Sequence, residues 1–200
     1  VKRIVFYGFK GGVGRTTALT LAAHQLACQG KKVLLIDLDL ESPGLTCSLL
    51  SDLYRPDFGI VDWFVESFVG QEEKVCSNMV TNSPTASELR GKIRIVPAFG
   101  SKTGFNYYLP KLSRIFGDHY SAERKIGFSD RLAELINKLE EKEKPDVIFI
   151  DSRAGVHDLA ASCFELSTHL YLFASETDQS WDGYKLILSY WQLYPGIIKT

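Results

Sequence analysis

Short unbroken apolar runs alternate along this chain with stretches in which apolar residues recur every three or four positions. Lys2 to Gly8 is an apolar run closed by glycine. It leads through a glycine-rich turn into Thr17 to Gln29, where Leu19, Ala22, Ala23 and Leu26 recur at helical spacing. This predicts strand, loop, helix. Gly30 stands where a C-cap glycine ends a helix, and Lys32 to Leu38 reads as a continuously apolar strand of the kind buried in parallel sheets.

Further strands are predicted at Lys92 to Pro97, Asp146 to Ile150 and His169 to Ala174, each short and rich in Val, Ile, Phe or Leu. The clearest helix is Asp130 to Lys142, with Leu132, Leu135, Ile136 and Leu139 on one stripe and Ser129 as its N-cap. The charges of Glu140 to Lys144, ending at Pro145, read as a solvated helix terminus. Alternating strands and helices predict an α/β fold: a mostly parallel central sheet with helices on both faces, binding its ligand beyond the carboxyl ends of the strands. Residues 51–90 and 101–128 are aromatic-rich but lack a long clean period. Repeats and low-complexity tracts are missing.

Composition narrows the picture without changing it. Two hundred residues, 45% hydrophobic and 24% charged, fit one globular domain over residues 1–200. The chain starts at Val1 without methionine and stops just after an apolar segment, which suits a piece of something longer. With 23 basic and 24 acidic residues, the net charge of -1 does not favour DNA as a partner, although a local basic patch is compatible with it. Cys28, Cys47, Cys76 and Cys163 form no C-x-x-C pair, and no apolar run approaches a membrane span. A cytoplasmic protein with free thiols is the expectation.

The candidate chemistry begins at Phe9-Lys10-Gly11-Gly12-Val13-Gly14-Arg15-Thr16-Thr17, placed between a predicted strand and a predicted helix. Glycines let successive backbone N–H groups turn inward around an anion, and the helix N-terminus presents its unpaired N–H groups and positive dipole end to the same phosphate. The hydroxyl of Thr16 is then a candidate for Mg²⁺. The bland alternative is a tight glycine turn.

Lys10 to Thr17 resembles the deviant Walker A motif, K-G-G-x-G-K-[ST]-[ST], of the ParA, MinD, Mrp and nitrogenase iron-protein ATPases. Two departures stand out. Phe9 replaces a small or polar residue, and Arg15 replaces the P-loop lysine, exchanging a compact ammonium for a planar fork. The resemblance assigns Gly11, Gly12, Val13, Gly14, Arg15, Thr16 and Thr17 to nucleotide binding. It also implies that Lys10 reaches the phosphates held by a partner subunit, giving ATP-dependent dimerisation.

Leu34 to Gly44 places Asp37 and Asp39 at the end of the second strand, spaced by two so that both point the same way. This resembles the family's D-x-D segment, which implies that Asp39 orients the attacking water and that Asp37 supports magnesium. Asp146 to Asp151 is an apolar strand ending in acid, the arrangement by which a Walker B carboxylate meets hydrated Mg²⁺, so Asp151 is the metal candidate. Asp151-Ser152-Arg153-Ala154-Gly155 resembles the family's D-T-P-P-G switch without its prolines, leaving the Gly155 N–H to sense the γ-phosphate. Strand-end acids are also common capping residues.

Ala174 to Ser180 reads as helix capping. His24, His119, His157 and His169 show no ligand spacing. Trp63, Phe64, Phe68, Tyr107 and Tyr108 read as core or interface. The expectation is an ATP- and Mg²⁺-dependent dimerisation switch with a protein partner. Three alternatives stay open: a regulatory module with little turnover because of Arg15, a kinase or ligase on the same loop, and GTP in place of ATP.

Overall fold

The computed structural model describes residues 1–117, 127–156 and 158–193. In chain order the elements are β1 (Lys2–Gly8), α1 (Arg15–Cys28), β2 (Lys32–Leu38), α2 (Gly44–Leu49), α3 (Ile60–Ser67), α4 (Glu72–Cys76), β3 (Thr81–Asn82), β4 (Lys92–Val96), α5 (Gly104–Gly117), α6 (Phe128–Glu143), β5 (Val147–Ser152), α7 (Asp158–Leu166), β6 (His169–Phe173) and α8 (Asp178–Leu193). The sheet runs β3-β4-β2-β5-β1-β6 and is parallel throughout except for the short β3–β4 pair. The expected α/β architecture is therefore present. Among the described residues no helix is long and apolar enough to cross a membrane.

Successive strand residues point to opposite faces, and this divides the core in two. Val5, Tyr7, Leu34, Ile36, Ile148 and Ile150 face a layer that includes Ile60, Trp63 and Phe64 of α3, Leu132 to Leu139 of α6, and Leu159 and Cys163 of α7. Phe6, Val33, Leu35, Ile95 and Phe149 face Leu19, Ala23 and Ala27 of α1, with Leu45 of α2 beside them. Strands apolar on both sides need a helix layer on each. α1 ends in a Schellman motif, in which Gly30 N–H donates to Ala27 O and Lys31 N–H to Leu26 O, both at 3.0 Å.

Several expectations shift. The stripe on α6 is buried as read, but the helix begins at Phe128 with Gly127 as its N-cap. Ser129 lies inside it, its hydroxyl 2.6 Å from that of Ser162 on α7. The charges at the end of α6 are not simply solvated. Glu140 accepts from Arg3 Nη2 at 2.8 Å, Glu143 from Arg94 Nε at 2.9 Å, and Lys142 donates to Cys76 O at 2.7 Å. The helix is thereby tied to both β1 and β4. Residues 51–90, unreadable by period, fold into α3, α4 and β3, and Trp63 and Phe64 are fully buried. Phe68 is half-buried and Tyr107 is 65% exposed. Tyr108 is half-buried and donates its hydroxyl to Leu40 O.

Candidate functional site

The parallel strands end together at one rim of the sheet, which gathers the segments after β1, β2 and β5. The first is the glycine loop. Gly14 adopts φ +88° as the residue before α1, and no side chain caps that helix. A left-handed turn there suits glycine, and it leaves the N–H groups of the first turn open. Gly11, Gly12 and Gly14 would each meet open space in place of a Cβ. Gly8 differs: a Cβ there would lie 2.7 Å from Val13 Cγ2. Lys10, Gly11, Gly12, Gly14 and Thr17 are exposed, Val13 and Thr16 half-buried, and Arg15 buried.

Three carboxylates stand behind this loop, and Asp37 and Asp151 are paired in register across β2 and β5. Thr16 donates its hydroxyl to Asp151 Oδ2 at 2.6 Å, while Asp151 Oδ1 is buried with no hydrogen-bond partner. Burial lifts the Asp151 carboxyl to about 6, against the lowering effects of the Thr16 hydroxyl and Arg15. Asp37 is fully buried, and burial followed by the charge of Asp151 pushes it up to about 8. Its oxygens are already engaged: Oδ2 accepts from Thr46 N at 2.7 Å and Thr46 Oγ1 at 2.6 Å, and Oδ1 from Asp39 N at 3.3 Å. Asp37 is thus held behind the other acids, with two short hydrogen bonds on Oδ2 and one long one on Oδ1. Asp39 lies just beyond β2, its carboxyl also raised by burial and partly restored by Arg15.

Residues 1–93 match the family model described as an AAA domain. A plasmid partition protein of Borrelia burgdorferi B31, solved bound to AMPPNP, superposes with a TM-score of 0.66 at 19% identity, covering 96% of this chain and 68% of that one. pNOB8 ParA bound to nonspecific DNA superposes at 0.58 with 20% identity, covering 99% of this chain and 61% of that one.

This chain has a ParA/MinD-like P-loop fold.

The arsenical pump-driving ATPase 2 of Aquifex aeolicus (strain VF5) is 57% identical over 37 residues, which is 18% of this chain and 12% of that protein.

In this chain Arg15 turns inward. Its Nη2 donates to Asp39 Oδ2 at 3.1 Å, its Nε lies 3.8 Å from Asp151 Oδ1, and its Nη1 is 3.5 Å from Gly8 O. Gly155 adopts φ +87°, directs its N–H at Gly8 O across 3.4 Å and accepts the Tyr7 hydroxyl at 3.0 Å. The structure brings Arg15, Thr16, Asp37, Asp39, Asp151 and Gly155 together and leaves Lys10 at the exposed tip.

Sequence reasoning missed the residues that hold these in place. Thr46 bridges from Asp37 to Ala98 N at 2.9 Å. The Phe9 ring lies against Gly183, where a Cβ would come within 2.2 Å of it, and Phe9 N donates to Tyr184 Oη at 3.3 Å. Phe9 had already stood out as an irregular residue beside the motif, and that was the available signal. Arg153 pairs with Glu41 and so ties the segment after β5 to the one after β2. Thr177 Oγ1 accepts Ser180 N at 3.4 Å, the capping expected before α8. His24 and His169 are exposed, and His119 and His157 lie outside the described residues. Among the described residues no group of three His, Cys, Asp or Glu could hold a metal by itself.

Proposed function

We propose that this chain binds ATP with Mg²⁺ in the loop from Gly11 to Thr17 and uses the bound state to control dimerisation. The observation that carries it is Asp151. This is a buried carboxylate with one oxygen on the Thr16 hydroxyl and the other without a hydrogen-bond partner, behind a glycine loop with open space at Gly11, Gly12 and Gly14. Mg²⁺ ordinarily takes one or two protein oxygens and completes its shell with phosphate and water. Thr16 and Asp151 fit that demand, with Asp37 supporting Asp151 from the neighbouring strand. When bound, the ion would neutralise charge on the phosphates.

The chain's own groups then have separate tasks. The amides of Gly11 to Thr17 hold the anion, and the dipole of α1 adds to their field. Arg15 lies close enough to the loop to turn its fork toward a phosphate oxygen. Asp39 orients a water for attack, and the Gly155 N–H, now spent weakly on Gly8 O, is available to sense the terminal phosphate. Lys10, exposed at the loop tip, is free to enter a second subunit's site.

The Arg15–Asp39 pair favours a second reading. An acid neutralised by a buried guanidinium is poorly disposed to orient water, so the chain would act through its bound state with little turnover. ATP, ADP and GTP are to be titrated calorimetrically with Mg²⁺, with molecular mass read in each state. Binding of adenine nucleotides and a doubled mass with ATP are expected. Folded protein with no affinity for any of the three would end the proposal. The protein named from Borrelia burgdorferi was solved with AMPPNP, which supports the choice of ligand. The chain spans 68% and 61% of the two solved chains and matches 12% of the Aquifex protein, so their partners and full activities are a matter for experiment here.

A further inference from the structure

Arg15 is 8% exposed, and its guanidinium reaches two acids from different segments: Asp39 just beyond β2, 11% exposed, at 3.1 Å and Asp151 on β5, 1% exposed, at 3.8 Å. Carboxylates gathered this closely with so little water repel one another and need positive charge nearby. A planar fork offers separate nitrogens, here Nη2 and Nε, to the two acids, whereas an ammonium is a compact point charge at the end of its stem. The two contacts are unequal. That to Asp39 is a hydrogen bond, whereas that to Asp151 is longer than one and leaves Oδ1 unpartnered. The incompletely satisfied oxygen is the one that the Thr16 hydroxyl leaves free.

We infer that Arg15 is an internal counter-cation for the acid cluster, anchored on Asp39 and competing with a divalent, oxygen-preferring cation for the carboxylate of Asp151. It substitutes for metal charge in the metal-free state and must yield Asp151 when the cation enters. In this chain the arginine therefore sets the threshold for metal loading, beyond whatever it does at a phosphate. The inference rests on the reading of Thr16 and Asp151 as the metal side of the site, and it is independent of which nucleotide binds.

The test uses the nucleotide-free chain with Mg²⁺ or Mn²⁺ alone, by calorimetry and by thermal unfolding, in the native protein, Arg15→Gln and Arg15→Lys. Removing the positive charge should raise cation affinity at least ten-fold in Arg15→Gln, and saturating Mg²⁺ should raise its Tm more than that of the native chain. Arg15→Lys keeps one charge but replaces the fixed fork with a mobile point charge that a cation displaces more easily, so its affinity should fall between the two. Equal cation affinity in all three proteins would overturn the inference. If Arg15→Gln stays unfolded with and without Mg²⁺, then Arg15→Lys decides alone: tighter than native supports the inference, equal or weaker refutes it. A parallel titration with ATP and ADP at saturating Mg²⁺ keeps the two readings apart. Cation affinities ordered as expected with no nucleotide binding would sink the proposed function and leave this inference standing. Nucleotide binding with unchanged cation affinities would do the reverse.

Discussion

The Arg15 guanidinium donates from Nη2 to Asp39 Oδ2 across 3.1 Å, with both side chains almost withdrawn from solvent. Removing one partner of a buried pair leaves an uncompensated charge, at a cost of about 3–5 kcal/mol. The two partners are not equivalent here. Without Arg15 both Asp39 and Asp151 lose their cation, whereas without Asp39 the guanidinium keeps Asp151 and Gly8 O and one repulsive charge is gone. Arg15→Gln should therefore destabilise the metal-free chain more than Asp39→Asn. Urea unfolding of both variants checks the order.

Asp39→Ala should retain ATP binding while slowing hydrolysis, because it removes the group assigned to the attacking water and leaves the loop intact. Turnover equal to the native rate removes Asp39 from the mechanism. If the second reading holds, native turnover is already slight, and Arg15→Lys raises it by loosening the hold on Asp39.

Asp37 and Asp151 bind their protons more tightly in the fold than in the unfolded chain, at about 8 and about 6 against an ordinary 3.8. Between those values the native state carries protons that the unfolded state has released, so stability falls as pH rises. The metal-free chain should be less stable at pH 8.5 than at pH 5.5, by on the order of a few kcal/mol. Asp37→Asn should flatten the upper part of the curve. Denaturant midpoints across that range measure both.

Gly183→Ala pits two effects against each other. Alanine gains about 1 kcal/mol of helix propensity inside α8, but its Cβ would stand 2.2–2.4 Å from the Phe9 ring. Overpacking of that kind costs about 1–3 kcal/mol and displaces the residue before Lys10. Net destabilisation with weaker nucleotide affinity is expected. Unchanged affinity would show that the loop does not depend on this contact.

Lys10→Ala touches an exposed side chain, so stability should change by less than about 0.5 kcal/mol. Nucleotide affinity of the monomer should persist while ATP-dependent dimerisation is lost. Light scattering with ATP and with ADP distinguishes this from a general loss of binding.

Strands buried on both faces were legible because their apolar runs are unbroken: β1 and β2 begin and end where the pattern placed them. The loop was legible because glycine spacing is a local property. α3 and α5 were not, since Trp63, Phe64 and Tyr108 pack through contacts distant in sequence and α5 carries Pro110 in its interior. The direction of Arg15 was hidden for a similar reason. A motif names the residue at that position, but its choice between a phosphate and two acids depends on residues 24 and 136 positions away. Thr46 carried no local signal at all.

The pairing of Asp37 opposite Asp151 has an evolutionary consequence. Inserting or deleting one residue within either strand would turn that strand's acid to the other side of the sheet, away from the loop, and carry its apolar residues with it. Sequence drift along this lineage should consequently be free to lengthen the connections at the far rim, where strands begin, while the frame of these two strands stays constant.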